Sequence, residues 1–176
     1  MASAAPTIDY QPQGATLKAF HESKKHVRVV VGPLGSGKTH ACIMELLFQM
    51  LHQEPDGQGT RRSRIAVVRN SWPDLKNTVV ADFNEIVGGT GLGQLKMTAP
   101  AEWTAEFPVG DGTTVSAEVL FLAFDDQNDQ RKARGLQLSG VWFNELAELH
   151  KANVDLLLSR VGRFPKRLSV PKAKHF

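Results

Sequence analysis

The sequence predicts an α/β fold: a mostly parallel sheet with helices on both faces and a β-hairpin inserted into it. Three observations carry this. Apolar or β-branched runs alternate with helical patterns through the first half of the chain, as in parallel strands joined by crossover helices. A glycine-rich turn follows the first run and opens an apolar helix. Further on, the period becomes strand-like on both sides of Gly110-Asp111-Gly112, which are turn residues, as in a hairpin.

Residues 26–31 read as a buried strand. They lead into Gly32-Pro33-Leu34-Gly35-Ser36-Gly37-Lys38-Thr39, the spacing G-x-x-x-x-G-K-T. That is a P-loop. Its glycines let backbone N–H groups turn inward around phosphate oxygens, and the helix that starts near Lys38 points its positive end at them. Lys38 is expected to reach the β- and γ-phosphates of ATP, and Thr39 to offer its hydroxyl to Mg²⁺. Ala41, Ile43, Met44, Leu46, Leu47, Phe48 and Leu51 make the helix apolar almost all round, as under a sheet.

Before the loop, residues 1–14 are small, polar and proline-containing, and residues 15–23 form a short helix. Tyr10 and Gln11, followed by Pro12 and Gln13, put an aromatic ring and amides close to the P-loop strand. Two readings stand side by side: the group packs on and reads an adenine ring, or Tyr10 pins the arm to the surface.

After the P-loop helix, residues 54–60 are a polar connection. Arg61, Arg62 and Arg64 form a basic run, which is usually a solvated face. A strand at 65–68 ends in Arg69-Asn70-Ser71. Pro73 fits the first turn of a helix with Leu75, Val79, Phe83 and Ile86 at helical spacing and Gly88-Gly89 as its stop. The hairpin arms are 103–109 and 113–124. The second arm is apolar on both faces from Val119 to Phe124, which marks an interior strand. A polar segment, 125–134, holds a short helix, and 138–143 is the next strand.

That strand ends in Val141-Trp142-Phe143-Asn144-Glu145. A P-loop enzyme needs an apolar strand ending in a group that holds Mg²⁺ through water, commonly followed by a glutamate that orients the attacking water. Asn144 stands where aspartate is usual. Its carbonyl accepts a hydrogen bond from a metal-bound water but brings no charge, so metal affinity should be lower. Glu145 is the catalytic candidate, together with Lys38; taken without the P-loop, Glu145 would be a helix N-terminal acid. Arg69, Arg131 and Arg134 are candidates for an arginine that meets the γ-phosphate charge from a neighbouring subunit.

The chain has 176 residues, 41% hydrophobic and 22% charged, enough for one domain with a core. A net charge of +3 is a weak pointer to a polyanion. The one cysteine, Cys42, lies in the apolar helix and reads as a buried thiol. No apolar run approaches the roughly 18 residues of a membrane span, and the six histidines suggest no zinc site. A soluble, cytoplasmic setting is expected.

Several stretches in order resemble the ATPase domain of the large terminase subunit, the DNA-packaging motor of tailed bacteriophages. They are Tyr10-Gln11-Pro12 with Phe20-His21-Glu22-Ser23, the P-loop, Val67-Val68-Arg69-Asn70-Ser71-Trp72-Pro73-Asp74-Leu75, Val119-Leu120-Phe121-Leu122-Ala123-Phe124-Asp125, Leu136-Gln137-Leu138-Ser139-Gly140-Val141-Trp142-Phe143-Asn144-Glu145, and Arg160-Val161-Gly162-Arg163-Phe164-Pro165. The resemblance implies a P-loop NTPase of the additional-strand type that hydrolyses ATP to push double-stranded DNA into a capsid. It also implies the small terminase subunit and the portal protein as partners, a homo-oligomeric ring, the host cytoplasm and no membrane. In such folds the strand after Glu145 inserts between the P-loop strand and the strand that carries Glu145. The family continues into that strand and a nuclease domain, so the expectation here is a truncated ATPase domain at 1–165 with an incomplete sheet, a basic tail at 166–176 and no nuclease domain. A helicase- or recombinase-like ATPase and a non-catalytic nucleotide-binding fragment are the rival readings.

Overall fold

A computed structural model of the chain describes residues 8–125 and 129–166. Helix α1 (Gly14–Glu22) precedes the P-loop, and α2 (Lys38–His52) follows it. Strand β1 (Thr60–Arg69) leads to one continuous helical segment: α3 (Trp72–Asp74), a π-helical turn (Leu75–Val80) and α4 (Ala81–Val87). Pro73 lies in its first turn, and the Ser71 side chain caps it by accepting from the Asp74 N–H. Strands β2 (Gly93–Lys96), β3 (Ala101–Pro108) and β4 (Thr114–Ala123) come next. Helix α5 (Gln130–Arg134), β5 (Gly140–Phe143), a 3-10 turn (Leu146–Glu148) and α6 (Lys151–Leu158) complete the described chain.

The five strands form one sheet in the order β2-β3-β4-β1-β5. Strands β4, β1 and β5 run parallel, with Ile65 beside both Val119 and Gly140. The hairpin β3-β4 and the strand β2 extend the sheet antiparallel. The expected hairpin is present within two residues at each arm, closed by the Val109 N–H donating to the Thr113 carbonyl and by Gly112 at φ 86°. β4 is interior, between β3 and β1. β2 has no counterpart in the sequence reading. It depends on Gly93, where a Cβ would stand 2.4 Å from the Thr104 carbonyl oxygen.

Both sheet faces are covered. On one, α2, the π turn and α4 pack on Ile65, Val67, Trp103 and Phe121, with Phe83 edge-on to Trp103 and to Phe121 at 5.4 Å each. On the other, α5 and α6 bring Ala133 and Leu157 against Ala66, Val68, Leu120, Leu122 and Phe124. Each fully buried large apolar side chain contributes about 1.5–3 kcal/mol.

Two expectations are corrected. The basic run is not a solvated loop face: Arg61, Arg62 and Arg64 lie in β1 and are paired. Arg61 bonds Asp111 (2.6 Å) and the Leu51 and Gln53 carbonyls, Arg62 bonds Asp56 (2.8 Å), and Arg64 bonds Glu118 (2.5 Å) while lying over the Phe164 ring. Nor are residues 26–31 a buried strand. They lie outside the sheet, with a bend at His26 and Val27, and Val27, Val29 and Val31 are 64%, 70% and 85% exposed. The physical reason is that a strand exists only through a neighbour. Beside the outer edge of β5, among the described residues, the sole bridge joins Leu138 to Val161, below the strand proper.

Candidate nucleotide site

The P-loop is built by local geometry. Gly35 and Gly37 have φ of 73° and 76°, a left-handed conformation that costs a side-chain-bearing residue about 1 kcal/mol or more. Gly37 is the N-cap of α2 and passes its carbonyl to the Ala41 N–H at 2.9 Å. The Lys38 ammonium curls into its own loop, donating to the carbonyls of Gly32 (2.8 Å) and Pro33 (2.6 Å) and to Ser36 Oγ (3.4 Å); Ser36 Oγ also donates to Pro33 O. Leu34 stands at the exposed tip. Thr39 is half-buried in the first turn of α2.

The direction of α2 places the loop. The carbonyls of Leu51, in α2, and Gln53, just beyond it, meet Arg61 at the start of β1, and Gln49 lies against Gly140 at the start of β5. Helix α2 therefore runs back along the sheet, with its N-terminus toward the edge where β1, β4 and β5 end, the usual ligand edge of open α/β sheets.

Asn144 and Glu145 follow β5 at that edge. The Asn144 N–H donates to Val68 O at 2.9 Å, extending the ladder with β1. Its Oδ1 is buried with no hydrogen-bond partner among the described residues, as are Asn70 Oδ1 and Arg69 Nε at the end of the neighbouring strand. Glu145 is exposed with φ 53° and ψ 57°, the one non-glycine positive φ among the described residues. Such strained, exposed side chains concentrate at functional sites. No hydrogen bond or ion pair among the described residues joins Lys38 or Thr39 to Asn144 or Glu145. Arg69 is half-buried and donates to Thr78 Oγ1 at the surface (2.7 Å), whereas Arg131 and Arg134 are exposed on α5.

The amino-terminal arm is fastened to the P-loop helix. Tyr10 stacks on His40 at 5.2 Å between centroids, and its hydroxyl bonds His21 Nε2 at 2.8 Å. His21 Nδ1 meets Glu45 Oε2 at 2.7 Å, and Arg28 donates to Glu45 Oε1 at 2.6 Å. Gln11 and Gln13 are both exposed, and Gln13 Oε1 lies 3.2 Å from a Cβ position on Gly37. Sequence reasoning gave no role to Arg28, His21 or Glu45, although a glutamate inside an otherwise apolar helix is a visible signal. Burial, followed by the Glu45 charge, pushes the Cys42 thiol up to about 11, and burial raises the Tyr10 hydroxyl.

An open α/β sheet with a G-x-x-x-x-G-K-T loop at a helix N-terminus is the P-loop class of fold. The family model "Terminase large subunit, T4likevirus-type, N-terminal" matches residues 29–162, and the chain belongs to that family. Among solved structures, it is similar to the large terminase of a thermophilic bacteriophage: TM-score 0.58, 18% identity, 74% of this chain and 30% of that one. The same phage protein in complex with ADP gives 0.56, 17%, 74% and 29%, and in complex with ATP-gamma-S 0.54, 16%, 74% and 28%. The chain thus spans under a third of the length of these three structures. No curated protein matches it significantly in sequence.

Proposed function

We propose that this chain is the nucleotide-binding part of a DNA-packaging motor: it binds ATP with Mg²⁺ at the P-loop, and hydrolysis there drives double-stranded DNA into a capsid. The observation that carries the reading is the loop at the N-terminus of α2, with Gly35 and Gly37 left-handed and Lys38 reaching into it. Gly32 and Leu34 to Gly37 cradle the phosphates through backbone N–H groups, and Lys38 exchanges its bonds to Gly32 and Pro33 for phosphate oxygens. The donor set suits Mg²⁺: the Thr39 hydroxyl lies at the loop's end, and the buried, unpartnered Oδ1 of Asn144 is an acceptor for a metal-bound water. Bound Mg²⁺ would offset charge on the β- and γ-oxygens. Glu145 orients or deprotonates the attacking water. Tyr10 and Gln11 or Gln13 contact the base. Double-stranded DNA, the small terminase subunit, a portal protein and further copies in a ring are the proposed partners, in the host cytoplasm. Among the described residues, no helix is long and apolar enough to cross a membrane.

A second reading, a nucleotide-binding unit without turnover, is supported by the exposed segment 26–31, which leaves the P-loop without strand support among the described residues. Titration of a fluorescent ATP analogue, with phosphate release followed with and without double-stranded DNA, separates the two. Binding with DNA-stimulated release supports the motor; binding alone supports the second reading; release stimulated by single strands alone points to a helicase-like ATPase.

A further inference from the structure

We propose that Glu45 is a positioning residue for the P-loop, closing the base of the segment–loop–helix unit by holding Arg28 and, through His21 and Tyr10, the amino-terminal arm. The proposal rests on the nucleotide-binding reading. Glu45 lies seven residues beyond Lys38, about two helical turns or roughly 10.5 Å along α2. Arg28 lies four residues before Gly32. The contact between Arg28 and Glu45 therefore ties the chain just ahead of the loop to α2 about two turns beyond it.

Residues 26–31 have no strand beside them among the described residues, which makes side-chain fastening decisive. Arg28 supplies it with three contacts: Glu45 Oε1 at 2.6 Å, the Phe20 carbonyl at 3.1 Å, and the Phe20 ring at 5.1 Å from its guanidinium. Glu45 is buried and has a second oxygen on His21, with Gln49 Nε2 donating to Oε1 at 3.3 Å. His21 bonds Tyr10, whose ring stacks on His40, the residue after Thr39. A chain of contacts thus leaves the loop's entrance at Arg28 and returns to its exit at His40. A buried ion pair adds little net stability, and its best-attested use is to select one geometry. Here the geometry selected is the spacing between loop entrance and helix.

The test uses the 176-residue chain, a fluorescent ATP analogue and thermal unfolding. Glu45→Gln keeps the shape and removes the charge that both Arg28 and His21 meet. It should weaken nucleotide binding about tenfold, the scale of a lost charged hydrogen bond. Arg28→Gln should weaken it by up to the same factor, the double variant no further than Glu45→Gln alone, and Arg28→Lys should recover most of the affinity. A purely structural role lowers the unfolding midpoint and leaves the affinity of the folded protein unchanged. If Glu45→Gln unfolds, Arg28→Gln against Arg28→Lys carries the comparison. Unchanged affinity in folded variants, or additive losses in the double variant, overturns the proposal alone. No binding by the unaltered chain, or binding that Lys38→Ala leaves intact, overturns the nucleotide reading and the proposal with it.

Discussion

Lys38 donates to the Pro33 carbonyl at 2.6 Å, five residues earlier in the same loop, so the ammonium fills the loop that its own backbone makes. On the proposed reading, a phosphate entering there would compete with carbonyl oxygens for a charge already in position.

Lys38→Ala removes that charge. The loop keeps its left-handed glycines, so the fold should survive with an unfolding midpoint near that of the parent chain. ATP-analogue affinity should fall by about two orders of magnitude, the sum of one or two charged hydrogen bonds. Retained affinity in the titration would remove the P-loop assignment.

Glu145 holds φ 53° without being glycine. The Glu145→Gly variant should therefore be more stable than Glu145→Ala by about 1 kcal/mol, because only alanine keeps the left-handed strain. Glu145→Gln should leave nucleotide binding intact and slow hydrolysis by about two orders of magnitude, the scale of general-base loss. Turnover is read as phosphate release with double-stranded DNA present. Equal stability of the glycine and alanine variants would show that the backbone relaxes at this corner.

Much of this was legible in the sequence, and the limits have physical reasons. The P-loop and the Val109–Thr113 turn are local: their glycines specify the backbone whatever surrounds it. β4 is legible because a strand buried on both faces must be apolar on both. The strand expected at 26–31 fails because pairing is a property of two segments, and Val27, Val29 and Val31 alternate whether or not a neighbour is present. The basic run misleads for a related reason: the acids that pair Arg61 and Arg64, Asp111 and Glu118, lie 50 and 54 residues away along the chain.

Two carboxylates give stability a direction with pH. Hydrogen bonds from Arg62 and then from the Thr60 and Gln58 N–H groups hold Asp56 below the usual carboxylate range; the Thr113 hydroxyl and N–H, then Arg61, do the same for Asp111. A depressed carboxylate contributes stability above its unfolded pKa, near 4, and loses it as pH falls through the lower folded value. The unfolding midpoint should drop below about pH 4, and less steeply in Asp56→Asn. An identical acid slope in that variant would place the titrating groups elsewhere.

The Cys42 thiol, at about 11, is almost wholly protonated at pH 8 and buried against α2's neighbours. Labelling by a disulfide reagent at pH 8 should be slow in the native chain and immediate in denaturant. Since the raised value disfavours the thiolate in the folded state, this group's contribution to stability declines as pH rises through the ordinary thiol range, near 8.5, and levels off above the folded value. Fast native labelling would mean that α2 opens readily.

The last prediction concerns the face that Val27, Val29 and Val31 leave open. These side chains are 64%, 70% and 85% exposed, while Arg28 between them is held by Glu45. A segment outside the sheet that presents alternating apolar side chains to solvent is a template for pairing with another chain. The 176-residue chain should therefore self-associate at micromolar concentration, more strongly in salts that favour apolar burial. A charge placed on such an edge blocks pairing. Val29→Lys with Val31→Lys should then shift light-scattering mass toward the monomer while leaving the unfolding midpoint within a few degrees, because neither valine contributes to the core. A monomeric parent chain, or association unchanged by both lysines, would assign self-contact to another surface.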